Sequence, residues 1–121
     1  MHVFDESREM YLETILILCK ESDFVRSVDI ANKLDYSKPS VSRAVKNLLN
    51  EGSITVADNG RIQLTKEGLE EAEAIYEKHK VLTRIFIEIL KLEPELAERD
   101  ACRVEHVISD ETFEALKKLI K

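Results

Sequence analysis

Apolar residues recur along this chain with two different periods, and the places where the period changes divide it into elements. Leu12, Ile15, Leu16 and Cys19 repeat at helical spacing, so a first helix is expected from about Phe4 to Glu21 with those side chains inside. Met10, Glu13 and Ile17 fall on another face, Met10 roughly 170° from the centre of the first at ~100° per residue. Such a face suits water poorly: it meets another part of the protein, or it is a scatter of exposed side chains.

From Ser27 the pattern shortens. Ser27 to Leu34 and Lys38 to Leu49 read as two helices joined by Asp35-Tyr36-Ser37, with Ser27 capping one, Ser37 capping the next and Pro39 in its first turn. That is a helix-turn-helix. The second helix buries Val41, Ala44, Val45 and Leu48, leaving Lys38, Ser40, Ser42, Arg43 and Lys46 to solvent, and no acid occurs from Lys38 through Leu49. Basic helix faces are often merely solvated. Here the preceding helix and tight turn favour phosphate contacts and base-edge hydrogen bonds in a major groove. The period then becomes two, over Ser53 to Ala57 and Arg61 to Thr65, around Asp58-Asn59-Gly60, where Asn-Gly marks a hairpin. A helix-turn-helix followed by a hairpin is a winged helix, with Arg61 at a wing able to touch phosphate or a minor groove.

Helical spacing returns from Lys66 to about Leu90, with Leu69, Ala72, Tyr76, Leu82, Phe86 and Leu90 expected inside. His79 and Thr83 fall within that stripe, and read alone His79 is a hydrogen-bonded core histidine. Glu93-Pro94 opens another helix, and Asp110 is expected to cap a last one over Glu111 to Ile120. These helices exceed what a winged helix needs, and spare apolar helices beside a DNA-binding module commonly form a dimer interface. The expected fold is mainly α: a winged helix-turn-helix over 1–68 and a helical dimerisation and metal-binding domain over 69–121.

Composition agrees, since three Gly and two Pro against 35% charged residues in a chain of 121 disfavour a sheet sandwich. No apolar run approaches ~18 residues and no basic-then-apolar leader opens the chain, so a soluble, cytoplasmic protein without membrane contact is expected. The net charge of −6 is unevenly spread: −4 over 1–23, +2 over 24–68 and −4 over 69–121. Any DNA-facing surface must therefore lie in the middle third. Cys19 and Cys102 form no CxxC pair, and Cys19, on the apolar face of the first helix, reads as core.

The remaining chemistry sits near Cys102. In the helix after Pro94, Ala97, Ala101, Val104 and Ile108 make an apolar seam, and Cys102, Glu105 and His106, at i, i+3 and i+4, form a stripe roughly 115° around from it. Glu98 joins that stripe. A thiol, a carboxylate and an imidazole at this spacing suit a metal ion; an amphipathic helix with an incidental cysteine has the same residues. No Gly-rich phosphate loop or Ser-His-Asp arrangement occurs, and nothing supports nucleophilic catalysis.

Glu9-Met10-Tyr11-Leu12, Ser37-Lys38-Pro39-Ser40-Val41-Ser42 and Ala101-Cys102-Arg103-Val104-Glu105-His106-Val107 together resemble the diphtheria toxin repressor group of iron- and manganese-dependent transcriptional repressors, over nearly the whole chain. The resemblance implies a metal-activated homodimer on an inverted-repeat operator. It implies Met10, Cys102, Glu105 and His106 as ligands of the controlling site, His79 as a ligand of an ancillary site, and Ser37, Pro39, Ser42 and Arg43 at the operator. Thr83 stands where iron-type members place a carboxylate and Glu98 where they place a histidine, which weakens or rearranges the ancillary site. Glu13 matches a metal-binding Glu of manganese-type members, and the SH3-like domain of longer members has no counterpart here. A ligand at Met10 would let metal fix the DNA-binding domain against the second domain, as an allosteric effector.

The expected function is thus a divalent-metal-activated repressor, with Fe²⁺ as effector, Co²⁺, Ni²⁺ or Zn²⁺ as substitutes and Mn²⁺ less suited. The alternatives are a winged-helix regulator sensing an organic ligand, or redox state at Cys102, and a metal-dependent enzyme. The last fares worst, because four protein ligands leave little room for substrate and no general base is evident.

Overall fold

The middle of the first helix, α1 (Glu6–Glu21), is buried nearly all round: Tyr11, Leu12, Glu13, Thr14, Ile15 and Leu16 are all inaccessible. The structure, a computed structural model, describes residues 6–120, so the expected start at Phe4 lies outside the described residues. The second face anticipated on α1 is in fact withdrawn from water, with Glu13 buried and Met10 and Ile17 half-buried.

The chain divides into two compact units, Ser7–Glu73 and one built on 74–120. In the first, α2 (Ser27–Leu34) packs on α3 (Lys38–Glu51), which in turn meets β1 (Ile54–Val56). Ser27 does not cap α2. Arg26 holds the cap position and its N–H donates to the Asp29 carboxylate at 2.8 Å, because an acid three residues into a helix can reach back to the cap amide. Asp35 then takes a left-handed conformation (φ 57°), one of the few roles a short polar side chain fills without glycine, and turns the chain into α3. Ser37 caps α3 as expected, accepting from the Ser40 N–H at 3.3 Å, and Pro39 lies in the first turn. Val41, Val45 and Leu48 are buried, whereas Ala44 is half-buried.

β1 pairs antiparallel with β2 (Ile62–Leu64), Thr55 opposite Gln63, and Ile54 and Ile62 point into the core. The tip differs from a two-residue Asn-Gly turn. Gly60 N–H donates to Ala57 O at 2.8 Å and Ala57 N–H to Arg61 O at 2.9 Å, leaving Asp58-Asn59-Gly60 as a three-residue loop with Gly60 left-handed (φ 86°). A strand-like bond unseen in the pattern, Ile62 N–H to Val25 O at 2.7 Å, ties β2 to the segment before α2. At the wing's base, Thr65 N–H and Oγ1 both donate to Ser53 O, at 3.0 and 3.1 Å. Gly68 passes so close that a Cβ there would run into the same carbonyl. Arg8 closes this unit, donating to Glu51 at 2.9 and 3.1 Å and to both oxygens of Glu71.

α4 (Lys66–Glu88) begins in this unit and supplies residues to the second, followed by α5 (Pro94–Val104) and α6 (Asp110–Lys117). Its buried side chains are Ala72, Ile75, Leu82 and Ile85; the expected Leu69 and Leu90 are exposed, and Tyr76 and Phe86 half-buried. Leu69, Tyr76 and Leu90 are spaced by multiples of seven, and a straight helix drifts ~20° per heptad, enough over three heptads to carry both ends of such a row off the core. α4 also stops before Leu90, and the chain leaves it through Lys91 at φ 60°. Ser109, not Asp110, caps α6, accepting from Thr112 N–H at 3.1 Å. No helix of the described residues is long and apolar enough to cross a membrane.

Candidate metal centre and nucleic-acid interface

Within the unit of 74–120, α5 delivers the chemistry. Pro94 starts it after Glu93, and Ala97 and Ala101 are buried with no exposed area, which fixes which way the rest of the helix faces. α5 ends at Val104 rather than continuing past His106, because the chain needs a short turn to reach the Ser109 cap of the next helix. The helical spacing survives the ending. Glu105 keeps helical angles (φ −58°, ψ −27°) and its N–H reaches Ala101 O at 2.9 Å, and Val107 and Ile108 both donate to Val104 O at 3.0 Å.

As a result Cys102 Sγ, a Glu105 oxygen and a ring nitrogen of His106 lie within 4.8 Å of one another. Glu105 and His106 are only 1% and 2% exposed and Cys102 is half-buried. Burying a carboxylate is costly unless it is paired or bound to metal. Here Oε1 of Glu105 meets His79 Nδ1 at 2.9 Å, while Oε2 is buried with no hydrogen-bond partner among the described residues. A soft thiolate, an imidazole and a carboxylate with one oxygen left over fit a divalent first-row ion.

His79 is therefore neither a plain core histidine nor a member of that cluster. It stacks on Tyr76, ring centroids 6.2 Å apart and planes 7° from parallel, and lines a cleft with Thr83, Glu98, Arg84 and Glu88. Glu98 is exposed, and the Thr83 hydroxyl is buried without a hydrogen-bond partner among the described residues. Of the other sequence candidates, Glu13 is buried and Met10 half-buried, both on α1.

In the unit Ser7–Glu73 the solvent side of α3 carries Lys38, Pro39, Ser42, Arg43 and Lys46, all exposed. The first turn is organised before any ligand arrives. Ser37 Oγ donates to Ser40 Oγ at 2.8 Å, and Arg43 Nη2 reaches the same hydroxyl at 3.4 Å, at the long limit of a hydrogen bond. Arg61 lies at the start of the second wing strand, half-buried, in a cleft with Cys19, Gln63 and Glu73, its Nε without a hydrogen-bond partner among the described residues. Asn47 shares the exposed side of α3. Tyr36, exposed in the turn, packs edge-on against Tyr11 at 5.9 Å. Sequence reasoning passed over both, although Asn47 follows Arg43 at i+4, the spacing that puts two side chains on one face.

Two family models cover the chain: the iron-dependent repressor N-terminal DNA-binding domain over residues 4–60, and the iron-dependent repressor metal-binding and dimerisation domain over 65–121. The chain is 35% identical over 116 residues to the diphtheria toxin repressor of Corynebacterium diphtheriae, spanning 96% of this chain and 51% of that protein. An uncharacterised HTH-type transcriptional regulator of Methanocaldococcus jannaschii is 34% identical over 113 residues, 93% of this chain and 90% of its own length. Among solved structures, the manganese regulator SloR superposes with a TM-score of 0.82 at 29% identity, over 98% of this chain and 54% of that one. The chain thus spans about half the length of most of the first relatives it matches.

Proposed function

Because the chain belongs to the iron-dependent repressor family, a group of metal-dependent transcriptional regulators, we propose that it is a homodimeric repressor whose grip on an inverted-repeat operator is switched on by a divalent metal in the cytoplasm. The observation that carries this reading is the clustering of half-buried Cys102 with buried Glu105 and His106, with a carboxylate oxygen that has no hydrogen-bond partner among the described residues. From the sequence resemblance, Met10 is assigned as a thioether ligand and Glu13 as a second carboxylate of that ion. At the ancillary cleft His79 and Glu98 remain as side-chain donors, but Thr83 offers only a hydroxyl, so control runs through the Cys102 site. The functional boundary follows the sequence, with DNA binding in 1–68 and metal binding and dimerisation in 69–121. Ile89, Leu90, Val107 and Leu119 are exposed apolar side chains in the second unit and supply the dimer surface.

Ser37, Lys38, Pro39, Ser40, Ser42, Arg43 and Lys46 face the major groove, and Arg61 joins from the wing by turning out of its cleft. The metal contributes no chemistry to a substrate. It shifts the chain toward the DNA-binding state only by binding that state more tightly. Thioether and thiolate soften the site, and manganese gains least from sulfur in the divalent series, so Fe²⁺ is the effector and Co²⁺, Ni²⁺ and Zn²⁺ its substitutes. The test is duplex binding under anaerobic conditions across divalent metals, with a chelator control. Tight binding with Fe²⁺ that chelation reverses is expected; binding indifferent to both would move the protein to the organic-ligand class, and a best response to Mn²⁺ would refute the sulfur argument. A Met10→Asp, Cys102→Glu double variant should shift the preference towards Mn²⁺.

A further inference from the structure

A cleft of about 340 Å³ lies wholly inside the unit Ser7–Glu73, lined by the end of α1, the second wing strand and the first turns of α4. That is room for one small organic molecule. Two independent observations say of which kind. Arg61 lines the cleft, and its Nε is withdrawn from water without a hydrogen-bond partner among the described residues, although the backbone N–H of the same residue donates to Asn59 Oδ1 at 3.1 Å. A buried donor on a charged group is costly to leave unbonded, so such an atom marks a place for a partner. The second observation is apolar: Leu69 lines the same cleft while 40% exposed, with half-buried Leu64 and buried Leu16. A lone exposed leucine is ordinary, but one that shares a cleft with an unbonded guanidinium nitrogen is half of an amphipathic site. Asp23 and Glu73 also line it and oppose an anion, a dianion most of all; both are exposed, where water and salt screen them, and exposed Lys20 offsets one of them.

We propose that this cleft binds a small organic monocarboxylate, whose carboxylate accepts from Arg61 and whose apolar body lies against Leu64 and Leu69. A guanidinium presents Nε–H beside an Nη–H as a fork that matches a planar carboxylate, and one delocalised charge meets less opposition from Asp23 and Glu73 than a phosphate dianion would. The site needs no metal. Its consequence for DNA rests on the function proposed above, in which Arg61 reaches the duplex only by turning out of the cleft: an occupant that bonds the guanidinium keeps it in and weakens the wing's contact.

The experiment titrates the full chain with sodium hexanoate, with acetate and inorganic phosphate as controls, at constant ionic strength and with a chelator present. Two readouts follow it: the Arg61 Nε–H correlation in nitrogen-15 NMR, and the alkylation rate of Cys19 by peptide mass spectrometry, since Cys19 lines the same cleft with its Sγ 3.9 Å from Ile62 O. A saturable shift and slowed alkylation are expected. Hexanoate has four methylenes more than acetate, each worth about fourfold when fully buried, so with half of that burial in an open cleft it should bind about tenfold tighter or better. Arg61→Met, which keeps the stem and loses the fork, and Leu69→Gln, at an exposed helical position, should each lose about tenfold or more. Should Arg61→Met fail to fold, Arg61→Lys takes its place, because it keeps the charge without the fork and should also lose most of the affinity. Hexanoate no tighter than acetate, phosphate tighter than hexanoate, or native affinity in the folded Arg61 variant would each overturn the proposal. At saturating metal, hexanoate should weaken duplex binding by the native chain and leave that of Arg61→Met unchanged. Saturable binding in the cleft with no effect on the duplex would keep the site and remove Arg61 from the DNA interface; a chain that binds hexanoate but whose duplex binding ignores metal is a different failure, that of the metal reading.

Discussion

Replacing Arg43 with alanine separates a stability role from a recognition role in the helix proposed above to face DNA, α3. Its one described hydrogen bond, to Ser40 Oγ, is long at 3.4 Å and the residue is exposed. An exposed Arg→Ala change within a helix alters folding by about 0.5 kcal/mol or less, and alanine is at least as good a helix former. The binding loss is expected to be larger. An arginine that reads a base edge contributes about 1–3 kcal/mol, and the two-fold dimer proposed above would lose it twice, about 2–6 kcal/mol or about 30-fold to about 10⁴-fold in affinity. A purely phosphate role predicts something else: equal weakening on any duplex, and a fall of about 2 in the slope of log affinity against log salt, ~0.9 for each subunit's lost contact. The assay is fluorescence anisotropy on a duplex selected from a random pool by the native protein and on a scrambled duplex, at saturating metal and several salt concentrations, with a thermal melt as control. Selective loss on the chosen duplex with an unchanged melt is expected. Unchanged binding to both duplexes would remove Arg43 from the interface, and the assignment of the exposed side of α3 with it.

Ser37→Ala deletes the oxygen that accepts the Ser40 amide and should lower stability by about 1 kcal/mol, while Ser37→Gly costs only a few tenths, both read from denaturant midpoints; an unchanged midpoint in the alanine variant would mean the cap bond contributes nothing. Met10→Ala, half-buried on α1, should leave a folded chain whose DNA affinity rises less on adding Fe²⁺, and a native metal response in that variant would exclude Met10 from the site. Burial pushes the Cys19 thiol up, with Arg61 opposing more weakly. Alkylation of Cys19, followed by peptide mass spectrometry, should therefore reach half its maximal rate at higher pH in the folded chain than in denaturant. The sign for stability follows from the raised value: the contribution is full below the ordinary thiol pKa of about 8.5 and is lost as pH climbs through the folded one. A folded midpoint at or below the denatured one would show that Cys19 is not desolvated.

The DNA-binding unit was legible in the chain because each of its signals is local. Ser37 with Pro39, the acid-free run from Lys38 to Leu49 and Asn59-Gly60 each act within a few residues, and the cap, the helix and the hairpin all formed. The errors were also local. A serine at a helix start is a better cap than arginine in isolation, yet Asp29 satisfies the Arg26 amide and leaves Ser27 inside the helix. In the second unit the spacing of Cys102, Glu105 and His106 foretold their proximity even though the helix ends before two of them, because Glu105 keeps helical angles. What spacing could not show was the partner of Glu105. His79 is 26 residues away, and only the packing of separate helices decides which histidine meets which carboxylate. The exposure of Leu69 and Leu90 escaped for a similar reason, since periodicity finds a stripe but not where its neighbours stop.

The glycine at position 68 sets a rule for anyone who would redesign this regulator. Its missing side chain is the space through which the Ser53 carbonyl takes its place, and that same carbonyl receives both bonds from Thr65. Even alanine at 68 would push the base of the hairpin aside, so the angle at which the wing leaves the body is not adjustable by small steps. The tip is different, because Asp58 and Asn59 are exposed and bound to little else. New reach or new sequence preference in the wing has to be sought by lengthening or recharging that tip on a fixed hinge line, and screens that randomise the base will return mostly broken proteins.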